Sequence, residues 1–310
     1  MNSRAASAVL DGTNTDIDEG LAVVDEAATR PDPRRGRTTE VWVVARRGAL
    51  TLAVVALTFV AFAGWFSGLA HARSQVGLQR RFRAELSAAN APIGGVIATG
   101  APVAILDISR IGVHEVVVEG ARSGQLREGP GHLVGSSLPG QPGNAVIAGR
   151  RTMYGGPFRH LAALRSGDDI HLTTGDGNAT YRVVAVAHAR AEDGSVFADH
   201  GDNRLTLFTA DPPFEPSRRL VVTARLTGSA FAAQPLRRSL DPDGLGLTGD
   251  RNAIASVLVW LELLVALAVL AVFALTRWSR LATWIVFAPG IAVVAWLLFE
   301  NAVRLLPATL

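Results

Sequence analysis

Hydrophobic positions fall along this chain in two different rhythms. Residues from Met1 to about Glu40 show no sustained apolar period, so they cannot bury enough surface to offset the entropy of ordering. The pattern predicts a disordered tail over 1–48. Residues 51–69 then run TLAVVALTFVAFAGWFSGL without a charge, and about 20 apolar residues cross a hydrocarbon core. A transmembrane helix is predicted over 49–70, followed by a helix and linker over 71–101. Two further apolar runs, 253–275 and 281–306, close the chain and read as a transmembrane hairpin around Arg277 and Arg280.

Between the anchors the rhythm shortens. PVAILDIS, VHEVVVEG, NAVIAG, DDIHLTT, ATYRVVAVAHA, RLTLFTA and RLVVTARL are each bounded by Gly, Pro, Asp or Asn. The segment 174–178, Thr-Gly-Asp-Gly-Asn, joins two of these runs as a hairpin. One short helix is expected at about Pro157–Leu164. Seven or eight short strands over 102–227 imply an all-β barrel or sandwich rather than a parallel α/β sheet. A polar linker over 228–252 leads back to the membrane.

Charge orients this plan. Arg34, Arg35, Arg37, Arg46 and Arg47 precede the first run, which by the positive-inside rule makes the N-terminus cytoplasmic and the strand-rich domain extracytoplasmic. Arg277 and Arg280 in the hairpin turn then fall on the cytoplasmic side, in agreement. A signal peptide cut after Ala72 is the competing reading of the first run, but that run exceeds the usual apolar length of roughly 7–15 residues. Trp278 and Trp284 flank the turn, and Pro289-Gly290 should kink the last span. The expectation is a multi-pass protein with three spans in the plasma membrane.

Composition narrows the chemistry. The formal charge is +3 and the basic residues are all arginines, which does not point to nucleic acid. There is no cysteine, so thiolate nucleophiles, thiolate metal sites and disulfides are excluded together. Asp169/His171 and Asp199/His200 have no metal-site spacing, and Gly140–Gly149 has no phosphate-loop signature. No metal and no cofactor are expected.

Several motifs occur in order: PVAILDISRIGVHEVVVEG at 102–120, GPGH at 129–132, LPGQPGN at 138–144, AGRRTMYGGPFRHL at 148–161, LRSGDDIHLTT at 164–174, LTLFTADPP at 205–213 and RLVV at 219–222. Together they resemble the sortase family, in particular the class E type of actinobacteria. The resemblance implies an eight-stranded sortase-like β-barrel outside the plasma membrane. It also implies an ancestral reaction in which a cysteine attacks a sorting signal of the LPxTG kind and passes the acyl group to a cell-wall amine. That chemistry uses a thiolate, a histidine and an arginine. The family's A-G-H-R segment here reads Ala148-Gly149-Arg150-Arg151, so Arg150 stands at the histidine position. Its T-L-x-T-C-x-P strand reads Thr206-Leu207-Phe208-Thr209-Ala210-Asp211-Pro212, so Ala210 stands at the cysteine position. Arg219 matches the arginine, with Arg218 beside it.

Arginine cannot trade protons near neutral pH, and a methyl group is no nucleophile. The expectation is therefore a catalytically inactive barrel, not an enzyme, that acts as a binding or scaffolding module in the cell envelope. The alternative is a divergent sortase-type peptidase or transpeptidase acting on cell-surface sorting signals. The expected groove comprises Arg150, Arg151, Ala210, Arg219 and His132, and an open groove would take a peptide or an anionic cell-wall ligand. The expected partners are the bilayer and membrane proteins, met through the helices and the barrel. Glu262 marks the membrane contact: about 1.5 Å per residue from Ala253 puts its carboxyl roughly 13 Å deep, where a carboxylate is costly against lipid.

Overall fold

The structure is a computed structural model and describes residues 46, 57–62, 66–212, 217–232, 240, 250 and 253–309. The chain divides into two compact units, Met1–Val55 and Ala56–Leu310. The first falls almost wholly outside the described residues, and so does the expected tail over 1–48; most of the linker over 228–252 is undescribed too.

In the second unit, eight strands close into a barrel. They are β1 Pro102–Ile108, β2 Val113–Glu119, β3 Gly131–His132, β4 Asn144–Ala148, β5 Asp169–Thr174, β6 Gly177–Arg190, β7 Arg204–Asp211 and β8 Arg218–Thr227. The order around the barrel is β1-β2-β3-β4-β7-β8-β6-β5. Neighbours are antiparallel except β2–β3 and β4–β7, which run parallel. The strand-rich pattern thus becomes the expected eight-stranded barrel. The two-residue β3 carries no alternation of its own and is visible only in the fold.

Alternation along each strand sorts the side chains. Leu106, Ile147, Ile170, Leu172, Leu207 and Val222 fill the interior. The intervening positions of β4, β7 and β8, among them Val146, Ala148, Phe208 and Val221, join a second buried cluster on the other face. Tyr181 is buried in the interior and its hydroxyl accepts a hydrogen bond from the Gly140 amide at 2.6 Å. The helix expected at 157–164 shrinks to a single 3-10 turn, Leu161–Ala163. Phe158 and Leu161 are drawn into the barrel interior, and the backbone turns extended at Leu164.

Helix α1, Ser67–Ser87, lies against the barrel through buried His71, Gln75 and Phe82. The Gln75 amide accepts from the Val116 N–H at 2.7 Å and donates to the Val116 carbonyl at 3.1 Å, so it stands in for a strand neighbour on β2. This approach requires glycine at 129, where a Cβ would meet the Gln75 side chain at 2.3 Å. A single helical turn, α2 Gln125–Glu128, precedes it.

Helices α3 Ala253–Arg277 and α4 Arg280–Arg304 form the hairpin. Their open ends meet where the Asp250 N–H donates to the Arg304 carbonyl. Both are long and apolar enough to cross a membrane, and the rest of the protein covers little of either; a core helix of a soluble protein would be buried. α4 continues through Pro289. The expectation of three spans is corrected to two among the described residues. The run at 49–70 lies partly outside them; its described pieces are helical, and Phe59 and Phe62 pack edge-on against Phe299 and Trp296 of α4.

Candidate functional site

The three positions singled out by motif come together at one end of β4, β7 and β8. Ala210 and Arg219 are direct partners in the β7–β8 register. On the other side of β7, Ala148 pairs with Phe208, and the Gly149 N–H donates to the Phe208 carbonyl at 3.1 Å. Two residues further along lie Ala210, still in β7 and on the face of Phe208, and Arg150, just past the end of β4.

The face is closed. Arg150 is fully buried. Its Nε donates to the Leu126 carbonyl at 3.1 Å, and its Nη2 donates to the Ser123 carbonyl and hydroxyl at 3.2 and 3.1 Å. The guanidinium sits 5.0 Å from the Tyr154 ring centre. Burial pulls its pKa down to about 10, which leaves it charged at neutral pH. Arg219 is 2% exposed and lies 5.1 Å from the ring centre of Phe197 and 5.6 Å from that of Phe208. Burial likewise lowers its pKa to about 10. Arg151 pairs with Asp211 at 3.6 Å, and Asp211 also meets His188 at 3.0 Å. The three arginines are therefore directed to three separate sets of partners, and do not form the open cationic groove that an anionic ligand would need. Thr209 cannot replace the missing nucleophile in place, because its hydroxyl faces away from Ala210 and donates to the Gly149 carbonyl at 2.8 Å.

His132 belongs elsewhere. Its Nδ1 meets the Glu119 carboxylate at 2.7 Å, and its Nε2 meets the Ser137 carbonyl at 2.9 Å. Burial opposes a charge on this ring, but the field and hydrogen bond of Glu119 and the bond to Ser137 outweigh it and raise the pKa. The Glu119 carboxylate at Nδ1, with the Ser137 carbonyl and the Ser136 hydroxyl at 2.9 Å from Nε2, favours the protonated ring. His132 thus anchors the 132–137 turn and does not line the groove.

What fills the groove face is unexpected. Ala308, beyond the end of α4, is 1% exposed and joins the cluster of Ala148, Phe208, Val221, Leu126 and Phe197. The Thr309 carbonyl accepts from the Arg151 N–H at 3.2 Å and lies 3.5 Å from the Thr209 hydroxyl. The last apolar run was expected to continue as helix to Leu306, but helix α4 ends at Arg304, ahead of Pro307. The missed signal was the order Leu306-Pro307-Ala308-Thr309, which repeats the LPxT of the sorting signal implied by the resemblance.

The lip of this face rests on the helices. Met153 and Tyr154 pack with Phe62, Val303 and Leu306, and the Tyr154 N–H donates to the Ser67 hydroxyl at 3.1 Å. Arg127 is ion-paired with Glu300 of α4. Glu262, by contrast, is exposed on α3 among the described residues.

Residues 106–227 match the family model of the sortase domain. Sortase D of Bacillus subtilis is 28% identical over 134 residues, covering 42% of this chain and 66% of that protein. Sortase SrtE1 of Streptomyces coelicolor is 26% identical over 213 residues, covering 62% of this chain and 60% of that one. The chain therefore spans about two thirds or less of the length of these relatives. Among solved structures, a Clostridium perfringens sortase D5 transpeptidase is 27% identical and covers 51% of this chain and 99% of that one, with a TM-score of 0.44. Residues 106–227 of this chain are a sortase domain. The expectation that the chain is not an enzyme is corrected accordingly. Its domain and its relatives are those of sortases, a family of transpeptidases, and the residues at 150 and 210 remove a thiol and an imidazole from those positions without demonstrating inactivity.

Proposed function

We propose that this chain is a membrane-anchored sortase-family module that binds partner proteins in the cell envelope, with the barrel outside and the α3–α4 hairpin as its main docking element. The observation that carries this reading is Glu262. It is a carboxyl exposed on a helix that is otherwise apolar over most of its length, and at mid-membrane depth such a group costs several kcal/mol against lipid. A polar partner removes that penalty. Arg277 and Arg280 stand at the end of the hairpin remote from the barrel, which favours a cytoplasmic turn and an extracytoplasmic barrel. Co-purification from membranes tests the docking element. Glu262→Gln keeps a hydrogen-bonding group and should retain the partners, whereas Glu262→Leu should lose them. Equal recovery with the leucine variant contradicts this reading.

A second reading is a divergent sortase-type peptidase or transpeptidase acting on cell-surface sorting signals, and it is favoured by the family match over residues 106–227. With no cysteine in the chain, such an activity draws its nucleophile from a group other than this chain's thiols. Arg219 would then be the donor to the developing oxyanion. Sorting-signal cleavage by the chain with its membrane partners, lost in Arg219→Ala, supports this reading; no cleavage removes it.

A further inference from the structure

The groove face of β4, β7 and β8 is covered by a segment of the same chain. We infer that residues 306–309 are an intramolecular peptide ligand that closes the groove beside Ala210.

Four contacts build the site. The Ala308 methyl is enclosed by the groove cluster, which includes Ala148, Phe208 and Phe197. The Thr309 carbonyl takes the Arg151 N–H at 3.2 Å, a donor left over because β4 ends at Ala148. The Thr209 hydroxyl stands 3.5 Å from the same carbonyl. Leu306 packs with Met153 and Tyr154 at the lip. An apolar seat for a small side chain, followed by a fixed donor for the next carbonyl, is how a groove reads a peptide.

The segment is also delivered in place. Arg127 on the barrel side holds Glu300, and Val303 is buried against Met153 and Tyr154, so α4 ends at the lip. Only a few residues separate Arg304 from the seat, a span that a short chain covers easily. Tethering of this kind supplies the ligand at an effective concentration on the order of millimolar. Another peptide must therefore displace the segment, and anything that pulls the end of α4 from the barrel opens the groove. Closure is thus coupled to the membrane helices.

This inference treats the groove as a peptide site and is independent of the partner contact at Glu262. The test uses the full chain in detergent and a dye-labelled Leu-Pro-Ala-Thr peptide at concentrations up to about millimolar. Ala308→Asp ejects the segment by burying a charge, and Ala308→Trp ejects it by volume, so the two variants fail for different reasons if either misfolds. The expected result is that both bind the peptide at least about tenfold more tightly than the parent chain, whose groove is already filled. Equal binding by parent and variants, or no binding to any of the three, overturns the intramolecular ligand. Partner recovery through Glu262 is unaffected by either result.

Discussion

Adjacent residues of β7 face two environments that differ in kind. Leu205 and Leu207 point into an interior that is nearly all aliphatic and aromatic. Phe208 and Ala210 point the other way, onto a face with two buried guanidiniums and a segment from beyond the last helix. The interior needs only apolar alternation to form, since burial is non-directional. The groove face needs particular partners, because each buried arginine must find acceptors or aromatic faces. Many apolar sequences can build the first; few can build the second.

The comparison breaks most clearly at the two adjacent apolar positions. Leu207→Ala should cost about 2–5 kcal/mol and Phe208→Ala about 3–5 kcal/mol in chemical unfolding followed by circular dichroism. Only the second should also loosen Arg219 and the 308–309 segment. A loss below about 1 kcal/mol for Phe208→Ala would mean that the outer face is not packed as the interior is.

Arg150→Met keeps much of the volume but strands the Leu126 and Ser123 carbonyls, and should cost about 1–3 kcal/mol by the same measurement. An unchanged midpoint would show that these bonds add nothing to the fold.

The His132–Glu119 pair sharpens the contrast through pH. The folded pKa lies above the ordinary 6.5, so the stability contributed by this pair is fully present below about 6.5 and is lost as pH rises through the folded value. His71, with Nε2 on Glu115 and Nδ1 on the Arg127 carbonyl, is raised too. Burial opposes its charge and Glu115 outweighs that. Unfolding midpoints should therefore fall from pH 6 toward pH 9, less so in His132→Gln. A flat profile in the parent chain contradicts the charged assignment.

The smallest effect belongs to the interior's own polar group. Tyr181→Phe leaves the Gly140 amide without the hydroxyl it now meets at 2.6 Å, and should cost about 1 kcal/mol. Burial already holds the Tyr181 pKa at about 12, so no titration near neutral pH should accompany the change.

Most of the barrel was legible because its information is local. Short β-rich runs bounded by Gly, Pro, Asp or Asn named seven of the eight strands, and the eighth, Gly131–His132, is too short to stand out. The ordered motifs also brought Arg150, Ala210 and Arg219 to one end of three strands, although β4 and β7 are parallel neighbours. What escaped was long-range. Nothing within a few residues of Arg150 foretells its bonds to Ser123 and Leu126, and the GPGH motif that brings His132 beside β4 does not foretell that its ring turns to Glu119 and Ser137. Residues 306–309 escape because nothing local shows that Ala308 and Thr309, past the end of the last apolar run, return to the barrel.

Hydrogen exchange at the Arg151 amide tests the central claim most directly, because that amide lies just beyond β4 and its acceptor is the Thr309 carbonyl. The account predicts slow exchange in the intact chain and exchange faster by about tenfold or more in Ala308→Asp, with the Leu207 amide of the interior unchanged in both. Equal Arg151 exchange in the two proteins would show that the groove face is not held closed by residues 306–309.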